Sequence, residues 1–154
     1  MRIFLDANVL FSAAKSDGAV RRLLQLLRTH GHQTLADAWV ESEARRNLIA
    51  KGPEAIHALD ALLADMQVAA AHPSPSRLAE VQWLPEKDRP VLAAAIRLRC
   101  NALVTGDRKH FGSGYGRVFG GVTIHAPASL AVAVLAGNCA VRREDLANAL
   151  IRSL

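Results

Sequence analysis

The chain has few cysteines, few aromatic residues and no long uninterrupted apolar run. Only Cys100 and Cys139 occur in 154 residues. They stand far apart and outside any C-x-x-C spacing, which argues against a disulfide framework and favours buried thiols in a reducing compartment. No trio of His or Cys falls at ligand spacing, which counts against a zinc site. Aromatics make up 5% of the residues. Base stacking by Trp39, Trp83 and Tyr115 therefore competes with a plainer role, and core or interface packing is the expectation for both tryptophans. Asp6 and Asn8 interrupt the N-terminal apolar stretch almost at once, so neither an export signal nor a membrane span is expected, and a cytoplasmic protein is.

What is present is an ordinary core-forming composition. With 51% hydrophobic residues over 154 positions, the chain is long enough to close one core, and residues 1–154 are expected to form a single domain. Lys and Arg total 19 against 14 Asp and Glu, a formal charge of +5 with a pI near 9.9. Most of the cations are arginine, which suits bidentate phosphate contacts, although arginine and alanine together also follow from a GC-rich genome.

Hydrophobic spacing divides the chain into alternating strands and helices. MRIFLDANVL opens with a short, wholly apolar strand ending near Leu5. Val20, Leu23, Leu24 and Leu27 recur at helical spacing until Gly31. A strand is expected around Gln33 to Ala36, then a helix carried by Val40, Ala44 and Leu48 and closed by Gly52 and Pro53. Ile56, Leu59, Leu62, Leu63 and Met66 space a third helix, and Val68 to Ala71 reads as another short strand. HPSPS at 72–76 is a loop. Past Pro85, Val91, Leu92, Ala95 and Ile96 line a helix, ALVT is a strand, and residues 112–121, with five glycines, form a loop. GVTIHAP is the last strand, and two helical segments close the chain. Continuously apolar strands alternating with helices call for an α/β fold, a three-layer α/β/α sandwich around a central parallel sheet of four to five strands.

In such sheets the ligand crevice lies at the carboxyl ends of the strands, so acids placed just after strands are the ones to collect. Asp6 follows the first strand, Asp107 follows ALVT, Asp88 opens the helix leading into that strand, and Glu43 lies in the ESEARRNL helix. Converging carboxylates repel one another unless a hard, oxygen-seeking cation sits among them, and Mg²⁺ or Mn²⁺ fits. On a basic protein, such an ion suggests phosphodiester chemistry, in which the metal lowers the pKa of water and offsets phosphate charge. Arg45, Arg46, Arg89, Arg108 and Lys109 lie in the acid-bearing segments and are candidates to hold a phosphodiester backbone, with His110 a further phosphate contact.

Simpler roles compete at each position. Asp6 and Asp107 follow the pattern of turn or helix caps, Asp88 that of an N-cap before Pro90, and Glu43 that of a solvated helix residue, with Glu41 or Asp37 as alternative ligands. A receiver-like or phosphohydrolase site acting on aspartyl phosphate wants paired acids at the first strand end, and LDANVL lacks the pair.

LDANVL, EARRNL, DRPVLAAA and VTGD, in this order, together resemble the PIN-domain nucleases, and the resemblance spans residues 2 to about 127. It implies a parallel sheet between helices and Mg²⁺- or Mn²⁺-dependent hydrolysis of RNA, as in the VapC-like toxins of toxin-antitoxin pairs. A cognate antitoxin is then a partner. By motif, Asp6, Glu43, Asp88 and Asp107 match the family's acidic positions, and Asn8 and Thr105 match residues that orient the acids. A non-catalytic PIN-like scaffold is the alternative, and the retention of all four acids argues against it. Many relatives carry a further acid where Arg108, Lys109 and His110 stand, which leaves one metal or two open. Residues 128–154 are expected to form a C-terminal helical tail that the resemblance does not explain. Its Leu146, Ala149 and Leu150 either cover the sheet's flank or meet a second copy of the chain in a homodimer.

Overall fold

A computed structural model describes residues 1–72 and 77–137. Most of the expected 72–76 loop, most of the C-terminal tail and Cys139 lie outside the described residues. Six strands form one sheet in the order β3-β2-β1-β4-β6-β5. They are β1 (Arg2–Leu5), β2 (Gln33–Asp37), β3 (Gln67–Ala69), β4 (Ala102–Val104), β5 (Val118–Phe119) and β6 (Val122–His125). The first five in spatial order run parallel, and β5 pairs antiparallel with β6 at one edge. The glycine-rich stretch expected to be wholly loop thus contributes a two-residue strand. There Gly120 and Gly121 turn the chain at positive φ values of 55° and 83°, where a side chain is strained.

The helices are α1 (Ala7–Lys15), α2 (Ala19–Thr29), α3 (Ala38–Lys51), α4 (Ile56–Ala64), α5 (Arg89–Arg97), α6 (Arg108–Phe111) and α7 (Pro127–Gly137). α1 packs against α2, α3 and α4, and α7 docks on α2, making one helical layer. The right-handed crossover from β3 back to β4 places α5 on the opposite face of the sheet, where it packs on β4 and on the 3-10 turn at Ala79–Val81. α1 was absent from the sequence reading. It buries Ala7, Val9, Leu10, Ala13 and Ala14 and leaves Asn8, Phe11, Ser12 and Lys15 on the other face, a helical stripe only nine residues long and partly built of alanine.

The core follows the strands. Ile3, Phe4, Leu5, Leu35, Ala36, Leu103, Val104 and Ile124 are fully buried, as expected for parallel strands covered on both faces. Trp83, as expected, packs, stacking on Phe119 at 4.8 Å and meeting Phe111 edge-on at 6.3 Å between ring centroids. Trp39 does not, and stays 47% exposed. Burial pushes the Cys100 thiol up to about 11, so it is an inert core residue. Among the described residues no helix is long and apolar enough to cross a membrane.

Candidate metal centre at the carboxyl edge of the sheet

Strand order explains why residues a hundred positions apart meet. β1 lies between β2 and β4, with Leu5 in register with Val104. The Asp6 amide continues that ladder by donating to the Val104 carbonyl at 3.0 Å, and the Thr105 amide donates to the His125 carbonyl at 3.0 Å. Asp6 and Thr105 therefore emerge side by side where connections leave β1 and β4, the position at which open parallel sheets form their crevice.

Both side chains are buried, Asp6 with 6% and Thr105 with 0% exposure. One Asp6 oxygen, Oδ1, accepts from the Ala7 amide at 2.7 Å and so caps α1. Its Oδ2 accepts from the Thr105 hydroxyl at 2.7 Å and from Asn8 Nδ2 at 3.0 Å. Asn8 in turn accepts from the Gly106 amide at 2.8 Å, and the Thr105 hydroxyl accepts from the Asp107 amide at 3.1 Å. Asn8 and Thr105 thus tie the first strand end to the turn that carries Asp107, close to the orienting place the resemblance implied.

Burial raises the Asp6 carboxyl from 3.8 to about 6; the hydrogen bonds from Thr105 and Ala7 oppose the rise, and the nearby charges of Glu43 and Asp88 add to it. Asp88 is also raised, first by burial, with His110 and Lys87 pulling it down and Asp107 pushing it up. Burial likewise acts to raise Asp107, but hydrogen bonds and charge from His110 outweigh it, and its pKa falls below the ordinary value. Of the four predicted acids, Asp88 and Asp107 come together with His110, while Glu43 and Asp88 are near enough for their charge to act on Asp6. Neither Asp6 nor Glu43 belongs to that close group.

Asp88 and Asp107 differ in how their oxygens are used. Asp107 Oδ1 caps α6 by accepting from the His110 amide at 3.2 Å, and its Oδ2 lies 2.7 Å from His110 Nδ1. Asp88 stands at the N-cap position of α5 but makes no side-chain cap hydrogen bond, so the simple capping role does not account for it. Its buried Oδ2 lies 3.2 Å from His110 Nδ1 yet has no hydrogen-bond partner. One ring nitrogen has only one hydrogen to give, and the shorter contact to Asp107 takes it. A buried carboxylate oxygen left in this way is costly unless a cation meets it. Asp88, Asp107 and His110 can each present one ligand atom, all within 4.8 Å of one another, and this oxygen-rich set with one imidazole suits a divalent ion such as Mg²⁺ or Mn²⁺.

The cations are less uniform than the sequence suggested. Arg45 is engaged by Glu41 at 3.0 Å and Asp60 at 2.9 Å. Arg89 donates to the carbonyls of Leu84 at 3.0 Å and Gln82 at 3.3 Å. Arg46, Arg108 and Lys109 are exposed. Asp37, the alternative to Glu43, is buried; it caps α3 through the Val40 amide at 3.0 Å and lies 3.9 Å from Arg97. Tyr115, weighed from the sequence only as a base-stacking candidate, donates its hydroxyl to the Thr105 carbonyl at 2.8 Å and braces this edge from the glycine-rich loop. Nothing local in GSGYG announces that contact.

A family profile described as PIN domain matches residues 2–109, which is more than half of the chain. The chain belongs to the PIN domain family. Among curated protein sequences none matches it. Two solved structures share the PIN architecture. VapBC2 from Rickettsia felis, bound to a DNA fragment from its promoter, has a TM-score of 0.58 and 16% identity, covering 82% of this chain and 98% of that one. VapC20 of Mycobacterium tuberculosis, a Sarcin-Ricin loop cleaving toxin, has a TM-score of 0.54 and 15% identity, covering 76% of this chain and 98% of that one. At such identities the likeness is one of fold. PIN membership in turn supports a nuclease role.

Proposed function

We propose that this PIN domain is a Mg²⁺- or Mn²⁺-dependent endoribonuclease acting as the toxin of a toxin-antitoxin pair. The observation that carries the reading is a buried Asp88 oxygen left without a partner in the close group of Asp88, Asp107 and His110, in a chain of net charge +5. A polyanion approaching these acids needs a cation between, and the overall positive charge draws it there. Asp6, Glu43, Asp88 and Asp107 would hold the ion, with His110 beside them. When bound, the ion supplies Lewis acidity that activates water and offsets charge on the phosphate.

The protein's own part is positional. Thr105 and Asn8 hold the Asp6 carboxylate through Oδ2, and His110 keeps Asp107 ionised and oriented. Arg108 and Lys109, exposed on α6, offer charge to the flanking phosphates. VapC20 is described as a toxin that cleaves the Sarcin-Ricin loop, and the likeness to it and to VapBC2 supports a toxin role with an antitoxin partner. An RNA substrate implies a cytoplasmic protein. The C-terminal segment remains the candidate surface for a homodimer.

The test is cleavage of a 5′-labelled RNA by the purified chain with Mg²⁺ or Mn²⁺, and with EDTA. Asp107→Asn and Asp6→Asn are expected to lower the rate by at least 100-fold with unchanged far-ultraviolet circular dichroism. Metal-stimulated cleavage at the unmodified rate by either variant would remove the assignment.

A further inference from the structure

Two hollows lie outside the acidic edge. The one of about 520 Å³ beside α2 and α4 has its cations already engaged: Arg21 donates to the Ala13 and Ala14 carbonyls, and Arg28 pairs with Asp65. The other, a groove of about 1180 Å³, runs between α5 and the end of β2 and is lined by different chemistry. Its floor is apolar, formed by Pro90, Ala93 and Ile96 of α5, and Trp39 stands on its wall. That indole is 47% exposed, whereas Trp83 is packed between rings.

Charge around the groove is one-sided. Arg97 is set against Asp37 at 3.9 Å, and the remaining charged lining is Arg77, Lys87 and Arg89 against Glu86 alone. The groove lies next to the acidic edge along the chain. Pro85, Glu86, Lys87, Arg89 and Pro90 line it, and Asp88, between Lys87 and Arg89, belongs to the acid cluster instead. Lys87 lines the groove, and its charge also reaches Asp88 and Asp107, lowering the pKa of both.

We infer that this groove is the binding track for the single-stranded RNA flanking the scissile phosphate, with Trp39 stacking on a base and Arg77 and Lys87 holding its backbone. An exposed aromatic face beside a cationic channel is how single strands are gripped without base-specific hydrogen bonds, because every base has a π-face and every linkage a charge. The inference rests on the ribonuclease reading for its substrate and adds a subsite that the acidic cluster does not contain.

The experiment is a fluorescence titration of the full chain with a single-stranded RNA dodecamer, Ca²⁺ replacing the activating ion. RNA is expected to quench tryptophan emission in the wild-type chain, and Trp39→Phe, which leaves only Trp83, to abolish the quench. Trp39→Ala is expected to weaken binding, read by fluorescence anisotropy of labelled RNA, by about tenfold or more. Lys87→Ala and Arg77→Ala should each reduce the slope of log affinity against log salt by about 0.7. Circular dichroism of the Trp39 variants checks the fold, which an exposed residue should not disturb. Unchanged affinity in Trp39→Ala, or a quench that survives Trp39→Phe, overturns the subsite and leaves the groove as a protein-docking face. The two readings fail separately: Trp39-dependent binding without metal-stimulated cleavage sinks the nuclease, and cleavage without Trp39-dependent binding sinks the groove.

Discussion

Asp6 shows how a single residue links protonation, stability and metal affinity. Its carboxyl is raised by burial from 3.8 to about 6. Between those values the metal-free folded chain holds a proton that the unfolded chain has released. Its contribution to stability is therefore lost as pH rises from about 4 through 6, by about 3 kcal/mol once complete. A divalent ion reverses this, because it favours the ionised form and must displace the proton below pH 6. Saturating Mn²⁺, at about 100 times its dissociation constant, is expected to raise the melting temperature by roughly 5–10 °C at pH 7.5 and by clearly less at pH 5.5. Differential scanning calorimetry at the two pH values checks this; equal increments would mean that the ion does not meet Asp6. The site value of Asp6 was legible because it follows an apolar strand and precedes Asn8. That it also caps α1 was legible as the competing role, and the two coexist because one oxygen serves each task.

At the level of elements, the site depends on the junction between β4 and the glycine-rich loop. Tyr115 reaches back from that loop to the Thr105 carbonyl, and the loop is seated by Gly114. A Cβ at Gly114 would lie 2.5 Å from the Trp83 ring and 3.2 Å from Ile124, and Trp83 is itself held between Phe111 and Phe119. Gly114→Ala is therefore expected to cost about 1–3 kcal/mol of stability, measured by urea unfolding, and to lower cleavage along with it. A wild-type midpoint in the variant would show that the loop moves aside freely. This coupling was invisible in the sequence, since glycines read only as loop. Helices α2 and α3 were legible because each buries one stripe, and α5 because a continuous apolar run, Val91 to Ala95, follows Pro90. α1 was not, because its stripe is only nine residues long and partly built of alanine.

Across the whole molecule, chain order and strand order together bring the acids into one place. β1 is central in the sheet, and β4 returns beside it after a crossover, so Asp6, Thr105 and Asp107 become neighbours across a long sequence separation. A strand-by-strand reading reaches that result through the rule that ligands gather at carboxyl ends. The individual cations could not be sorted in the same way. Arg45 and Arg89 differ from Arg108 and Lys109 only in tertiary partners, which no spacing reveals. The central claim is that this edge hydrolyses RNA through water activated at a divalent ion. The most direct measurement maps cleavage ends on total cellular RNA from cells expressing the wild-type chain and from cells expressing Asp6→Asn. The account predicts discrete new ends, with 5′-phosphate and 3′-hydroxyl groups, in the wild-type sample alone. The same ends with Asp6→Asn, or none with the wild-type chain, would contradict it.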